Sequence, residues 1–152
     1  MTEILPRASL LLLLKENQVL LARKKRGFGK GKIVGVGGRQ ELGETMLGTA
    51  IRETQEEIGV TPTGPKEVAR LEFLFPHRPN WSMKVHVFTA TSWRGEPNES
   101  DEVAPWWFKK DYLPLEEMWD DARTWLPEVL AGETLKASFV FGEDERVQHV
   151  DV

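Results

Sequence analysis

The sequence predicts a single α/β domain over residues 1–152, built from a mixed β-sheet packed against helices. Three observations predict it. Residues 8–14 (ASLLLLL) are a continuous apolar run, followed by a polar turn and a second apolar segment, the pattern of a buried hairpin. Residues 45–58 carry apolar and acidic positions at helical spacing, bounded by glycines on both sides. Further strand-like segments then precede a second helical pattern over 116–131. A length of 152 residues fits one domain with a real core. Strands alternating with two helices make an α/β sandwich.

In chain order, Lys15-Glu16-Asn17 is the hairpin turn and Gln18–Arg23 the returning strand. Residues 24–32 hold five cations and three glycines, which makes a flexible basic loop. Ile33–Val36 is a short strand leading into a tight Gly37-Gly38 turn, and the acidic helix runs over Thr45–Ile58. The prolines and glycine of 61–65 break the chain. Lys66–Phe75, Lys84–Trp93 and Val103–Phe108 have strand character, with a turn at 76–81. The second helix spans Glu116–Ala131 and stops at Gly132. Leu135–Phe141 is a strand, and Val147–Val150 pairs with the sheet.

Composition narrows the function. The net charge of −4 gives no general attraction to nucleic acid or anionic membrane. An acidic chain that handles phosphates must do so locally. The chain has no cysteine, so disulfides and thiolate sites are excluded. The Leu10–Leu14 run is too short to span a bilayer and lacks the flanks of a signal peptide. These features lead us to expect a cytoplasmic monomer with no membrane association and no stable nucleic-acid partner.

The chemistry centres on Arg52-Glu53-Thr54-Gln55-Glu56-Glu57. Residues three and four apart share a helix face, so Glu53, Glu56 and Glu57 project together. Their mutual repulsion is relieved by a cation. Hard oxygen ligands suit Mg²⁺, with Mn²⁺ as a second choice, and Mg²⁺ commonly works beside substrate phosphates. Arg52 is placed to orient a carboxylate through a bidentate pair. A glutamate run taken alone is a solvated helix face. The whole spacing is more specific: Gly38, five residues, Glu44, seven residues, Arg52-Glu53, then Glu56-Glu57, one residue, and Gly59-Val60.

That spacing resembles the Nudix box. One position departs: Thr54 stands where the family has a bulky aliphatic residue. Lys24-Lys25-Arg26-Gly27-Phe28-Gly29, Val85-His86-Val87-Phe88, Glu99-Ser100-Asp101-Glu102 and Met118-Trp119 with Trp125 resemble the oxidised-purine nucleoside triphosphatases of animals, relatives of bacterial MutT. The similarity covers about Ser9 to Phe141. It implies the Nudix fold, a mixed sheet sandwiched between helices. It also implies metal-dependent hydrolysis of an 8-oxo-dGTP-type substrate to monophosphate and pyrophosphate, sanitising the nucleotide pool and so preventing DNA damage.

By the same resemblance Glu53, Glu56 and Glu57 are metal ligands, with the Gly37 carbonyl and Glu102. Glu56 or Glu57 is also the base, and Glu44 holds Arg52 or the loop. Ser9, Lys24, Phe28, Val34, Phe73, Met83 and Trp119 fall at substrate-pocket positions, with Trp119 stacking on the purine. Two departures fall among the base readers. Val34 replaces an asparagine, and of the family's two neighbouring aspartates one is Asp121 and the other becomes Ala122, unless a one-residue slip brings in Asp120-Asp121. The alternatives are a Nudix hydrolase for another nucleotide or capped 5′ end, and a non-catalytic nucleotide-binding module.

Overall fold

A computed structural model describes residues 4–152. The elements in chain order are β1 Arg7–Lys15, β2 Gln18–Lys24, β3 Ile33–Val34, β4 Val36–Arg39, α1 Met46–Ile58, β5 Thr61–Pro62, β6 Lys66–Leu74, β7 Met83–Ala90, β8 Trp93–Arg94, β9 Val103–Lys109, α2 Ala122–Leu130, β10 Leu135–Phe141 and β11 Val147–Asp151. Two short 3₁₀ turns, Pro79–Trp81 and Leu115–Glu117, punctuate the loops.

The main sheet runs β11-β10-β6-β7-β1-β2-β3, with β4 pairing β1 and β9 pairing β2. The β1/β7 and β6/β10 pairs are parallel and the rest antiparallel, so the sheet is mixed. The hairpin forms at the expected turn, but β1 meets β2 only at Leu14↔Val19 and Lys15↔Gln18. Over Arg7–Leu13 it lies beside β7, and β4 flanks it from Ala8 to Leu11. This explains the five leucines. Leu12 joins one apolar cluster with Leu21, Val87, Trp125, Leu126 and Phe139, while Leu11 and Leu13 join another with Val36, Ala50, Ile58 and Phe88. A strand buried on both faces reads as an unbroken apolar run. Helix α2 covers the first cluster and α1 the second, giving the α/β/α sandwich.

Helix α1 has clear ends. The Thr45 hydroxyl accepts from the Gly48 N–H at 3.0 Å, and Gly59 closes the helix at φ 73°. Thr54 is fully buried, and its hydroxyl donates to the Ala50 carbonyl at 2.7 Å. The departure from an aliphatic residue therefore leaves no orphaned hydroxyl.

Two expectations need correction. Gly37 and Gly38 are not a turn but lie inside β4, paired with Leu10 and Ser9. A Cβ on Gly37 would sit 1.8 Å from the Ser9 carbonyl oxygen, so close approach rather than chain reversal explains this glycine. The second helix begins at Ala122, not Glu116. The 3₁₀ turn Leu115–Glu117 ends at Met118, whose extended backbone (φ −108°, ψ 164°) breaks the run. The apolar pattern there arises because Met118 and Trp119 pack on the core from a connector.

Candidate active site

The carboxylates come from α1 and from the loop before β9. Arg52 is their organiser. Its Nε and Nη2 donate to the two Glu44 oxygens at 2.6 and 3.1 Å, and Nη2 also donates to the Arg39 carbonyl at 3.0 Å. The remaining nitrogen, Nη1, donates to Glu53 at 2.6 Å and to Glu56 at 3.2 Å. The expected bidentate pair thus forms with Glu44, and Glu44 has the structural part expected of it. This bidentate pairing pulls the Glu44 carboxyl down to about 2.

Glu57 points elsewhere. It is buried, and its Oε1 accepts from the Gly37 N–H at 3.0 Å. Burial pushes its pKa up to about 7; the Gly37 N–H opposes this, and the charges of Glu53 and Glu102 add to it. Glu53 is raised for the same first reason. A Cβ on Gly38 would lie 2.4 Å from the Glu53 carboxyl carbon, so β4 and α1 approach as closely as a glycine allows. Glu102 is exposed and pairs with Arg26 at 2.9 Å. Among the described residues no three acidic or imidazole side chains are already gathered as a metal cage. Glu53 and Glu56 converge on Arg52, Glu57 on β4, and Glu102 on Arg26. The three helix glutamates expected on one face thus divide between Arg52 and β4, but the donors are all hard oxygens, which fits Mg²⁺ chemistry.

A pocket of about 240 Å³ reaches this cluster at Glu57. Glu57, Gly37, Gly38, Arg39 and Lys24 line its polar part, and Phe28, Phe73, Phe75, Met83, Trp119 and Phe141 its apolar part. Ser9, Val34 and Asp121 line it too. Trp119 stacks on Phe28 (centroids 5.3 Å apart, planes 20° apart) and meets Phe75 and Phe141 edge-on. The Ser9 hydroxyl is buried without a partner. Lys24 is the basic-loop cation that reaches the pocket. Lys25 is tied to Glu99 and the Ser100 carbonyl, and Lys32 lies 4.8 Å over the Trp119 ring.

The two aspartates separate. Asp121 is buried, and its Oδ2 accepts from the Trp125 indole N–H at 2.7 Å. Burial raises its pKa to about 6 despite that bond. Asp120 is not among the pocket residues. Its Oδ2 accepts from the Val147 N–H at 2.9 Å, anchoring β11. Of the two candidate aspartates, Asp121 lines the pocket and Asp120 turns to β11. Phe75, Phe141 and Arg39 were missed from the sequence. The two phenylalanines stack with centroids 4.6 Å apart, a pairing between β-strand ends with no local signal.

Comparison with known proteins gives the family. A model described as NUDIX domain matches residues 4–129. The oxidized purine nucleoside triphosphate hydrolase of Danio rerio is 40% identical over 142 residues, 93% of this chain and 90% of the relative. That of Mus musculus is 37% identical, covering 91% and 88%. Among solved structures, the MutT protein of Bacillus halodurans superposes with a TM-score of 0.82 at 28% identity, covering 97% of each chain. With its helix-borne glutamates, glycine strand and spacing all in place, the chain belongs to the NUDIX domain family.

Proposed function

We propose that this protein hydrolyses oxidised purine nucleoside triphosphates to the monophosphate and pyrophosphate. One observation carries the reading: the buried residue Glu57 and the aromatic residue Trp119 line the same cavity. A nucleotide has the two matching ends, an anionic phosphate chain and a flat base. The names of the Danio rerio and Mus musculus relatives support the same substrate class.

Glu53, Glu56, Glu57, Glu102 and the Gly37 carbonyl would hold Mg²⁺. When bound, the metal neutralises phosphate charge and lowers the pKa of water. Arg52 keeps Glu53 and Glu56 in place, itself fixed by Glu44. Glu57, buried in the cavity and held by the Gly37 N–H, is the carboxylate we assign to take the proton of the attacking water. Lys24 meets the phosphate or sugar. Trp119 and Phe28 take the base by stacking, worth ~1–3 kcal/mol. Ser9, Val34, Phe73 and Met83 shape the walls, and Asp121 reads the base edge. With Val34 and Ala122 in place of polar readers, discrimination among purines is weaker than in enzymes that keep both. The protein acts as a cytoplasmic monomer without a nucleic-acid partner. Among the described residues no helix is long and apolar enough to cross a membrane.

The test is a panel of normal and oxidised nucleoside triphosphates assayed for pyrophosphate with Mg²⁺. Purine preference with oxidised bases leading supports the reading. A pyrimidine or non-nucleotide preference overturns it, and no turnover on any substrate would favour a binding module.

A further inference from the structure

Lys24 lines the pocket with Glu57; among the described residues two further cations pair with the acidic cluster, and they are held very differently. Arg52 makes five hydrogen bonds, to Glu44, Glu53, Glu56 and the Arg39 carbonyl. It cannot leave without breaking the scaffold of α1. Arg26 makes one, from Nη2 to Glu102 Oε1, and both side chains are largely exposed.

The placement of Arg26 follows from strand pairing. Strands β2 and β9 run antiparallel up to Lys24↔Val103. The next residues of each chain continue to face one another. The Lys25 N–H donates to the Glu102 carbonyl, and the Lys25 ammonium to Glu99 and the Ser100 carbonyl. Lys25 thus closes the two loops together. Arg26 comes directly after this clasp and directly before Gly27, whose φ is 80° and whose α-carbon faces open space. The Arg26 guanidinium is anchored at its backbone and loosely held at its tip. The loop that carries its partner Glu102 is tied to the end of α1, where the Asn98 N–H donates to the Ile58 carbonyl at 3.0 Å. Arg26 therefore stands on the loop that borders the carboxylate helix.

Resting on the metal and substrate reading above, we propose that Arg26 is an exchangeable counter-cation: it neutralises Glu102 while the site is empty, and when a divalent cation takes Glu102 it turns to the phosphate chain of the nucleotide. Such a residue has two opposite effects. It competes with metal in the nucleotide-free protein. It then helps bind the metal–nucleotide complex, whose oxygens carry the charge Glu102 no longer offers. Arg52 cannot do this because its donors are all committed, nor can Lys25, whose ammonium holds the loops together. The role is one of positioning.

The experiment is calorimetric titration of Mn²⁺ into nucleotide-free wild type, Arg26→Ala, Arg26→Gln, Arg26→Lys and Glu102→Gln, with KM and kcat measured beside it. An exposed pair of this kind opposes metal by up to ~5-fold. Arg26→Ala and Arg26→Gln should bind Mn²⁺ about 2- to 5-fold more tightly while KM for the nucleoside triphosphate rises about 5-fold or more, with kcat within about twofold. Arg26→Lys should stay near wild type in both. The gain in metal affinity should shrink at high salt, where the exposed pair is screened. Unchanged or weaker Mn²⁺ binding in both uncharged variants overturns the proposal, as does tighter metal binding without the rise in KM. Glu102→Gln separates the two levels. If it leaves Mn²⁺ affinity unaltered, the assignment of Glu102 as a ligand fails. If it weakens Mn²⁺ while the Arg26 variants do nothing, the counter-cation role alone fails.

Discussion

Gly38 and Glu53 touch through a hydrogen: a Cβ on the glycine would lie 2.4 Å from the glutamate's carboxyl carbon. Its neighbour Gly37 faces the Ser9 carbonyl oxygen at 1.8 Å by the same measure. The two contacts differ in what can yield. A carboxylate at the end of a side chain can swing aside, whereas a strand carbonyl cannot. Gly38→Ala should therefore fold, lose less than about 1 kcal/mol of stability, and lose about 10²-fold in activity by displacing Glu53. Gly37→Ala should break the β1–β4 pairing and lose about 4 kcal/mol or more. Thermal melts and pyrophosphate release separate the two. Equal stability in both variants would contradict the argument.

Glu57 makes a stability prediction whose sign depends on pH. Its carboxyl is raised from 4.5 to about 7 in the folded, metal-free protein. The folded state thus holds a proton the unfolded state releases, so this group's contribution is complete below about 4.5 and is lost as pH rises through 7. Glu57→Gln keeps an acceptor for the Gly37 N–H and cannot ionise. In chelator at pH 8 it should exceed wild type by on the order of 2 kcal/mol, and at pH 4.5 it should match wild type. It should also be inactive. A melt series across pH checks the first part; near-normal turnover would remove Glu57 from the chemistry.

The parts legible in the sequence were those set by local pattern. The buried strand over residues 8–14 and α1 with its closing Gly59 follow from periodicity and spacing, while the part of Glu44 in holding Arg52 came from the family resemblance. The missed parts depended on long-range approach. Gly37 and Gly38 read as a turn because glycine pairs usually are one, yet the steric demand came from Ser9 and Glu53, which are distant in sequence. Met118 and Trp119 fitted a helical apolar set, but their burial is achieved from an extended connector. Asp120 and Asp121 look equivalent in sequence. Only the tertiary fold sends one to the Val147 amide and the other to the Trp125 indole.

Metal dependence should be complete and reversible. A hard-oxygen donor set binds Mg²⁺ without trapping it, so chelator should stop pyrophosphate release and added Mg²⁺ should restore it. Mg²⁺ should also raise the unfolding midpoint, because it binds the folded state preferentially. Arg52→Lys should weaken both effects, since a lysine cannot span Glu44, Glu53 and Glu56 together. Full activity in excess chelator would refute the metal reading.

The base pocket gives the last prediction, and its two halves separate stacking from reading. Trp119 is partly buried, stacked on Phe28 and braced by Phe75 and Phe141. Stacking tolerates any base edge, so Trp119→Ala should reduce activity on all purines alike, by about 5- to 150-fold for a loss of ~1–3 kcal/mol. Asp121 has one oxygen engaged by Trp125 and a carboxyl raised from 3.8 to about 6 by burial. Near neutral pH it titrates, and its protonated form can donate where the ionised form can only accept. Asp121→Asn fixes one donor and one acceptor, so it should alter the ranking among purines more than the overall rate. The same variant should change stability with a defined sign. In wild type the raised carboxyl contributes stability below pH 4 that disappears as pH rises through 6, about 3 kcal/mol in all. His86, lowered by burial, contributes with the opposite sign, its stability complete above 6.5, and it is common to both proteins. The difference between wild type and Asp121→Asn therefore isolates Asp121, and it should be flat above about pH 7. If Trp119→Ala spares purine turnover, the indole is only a core residue; if Asp121→Asn scales every purine equally, Asp121 does not read the base.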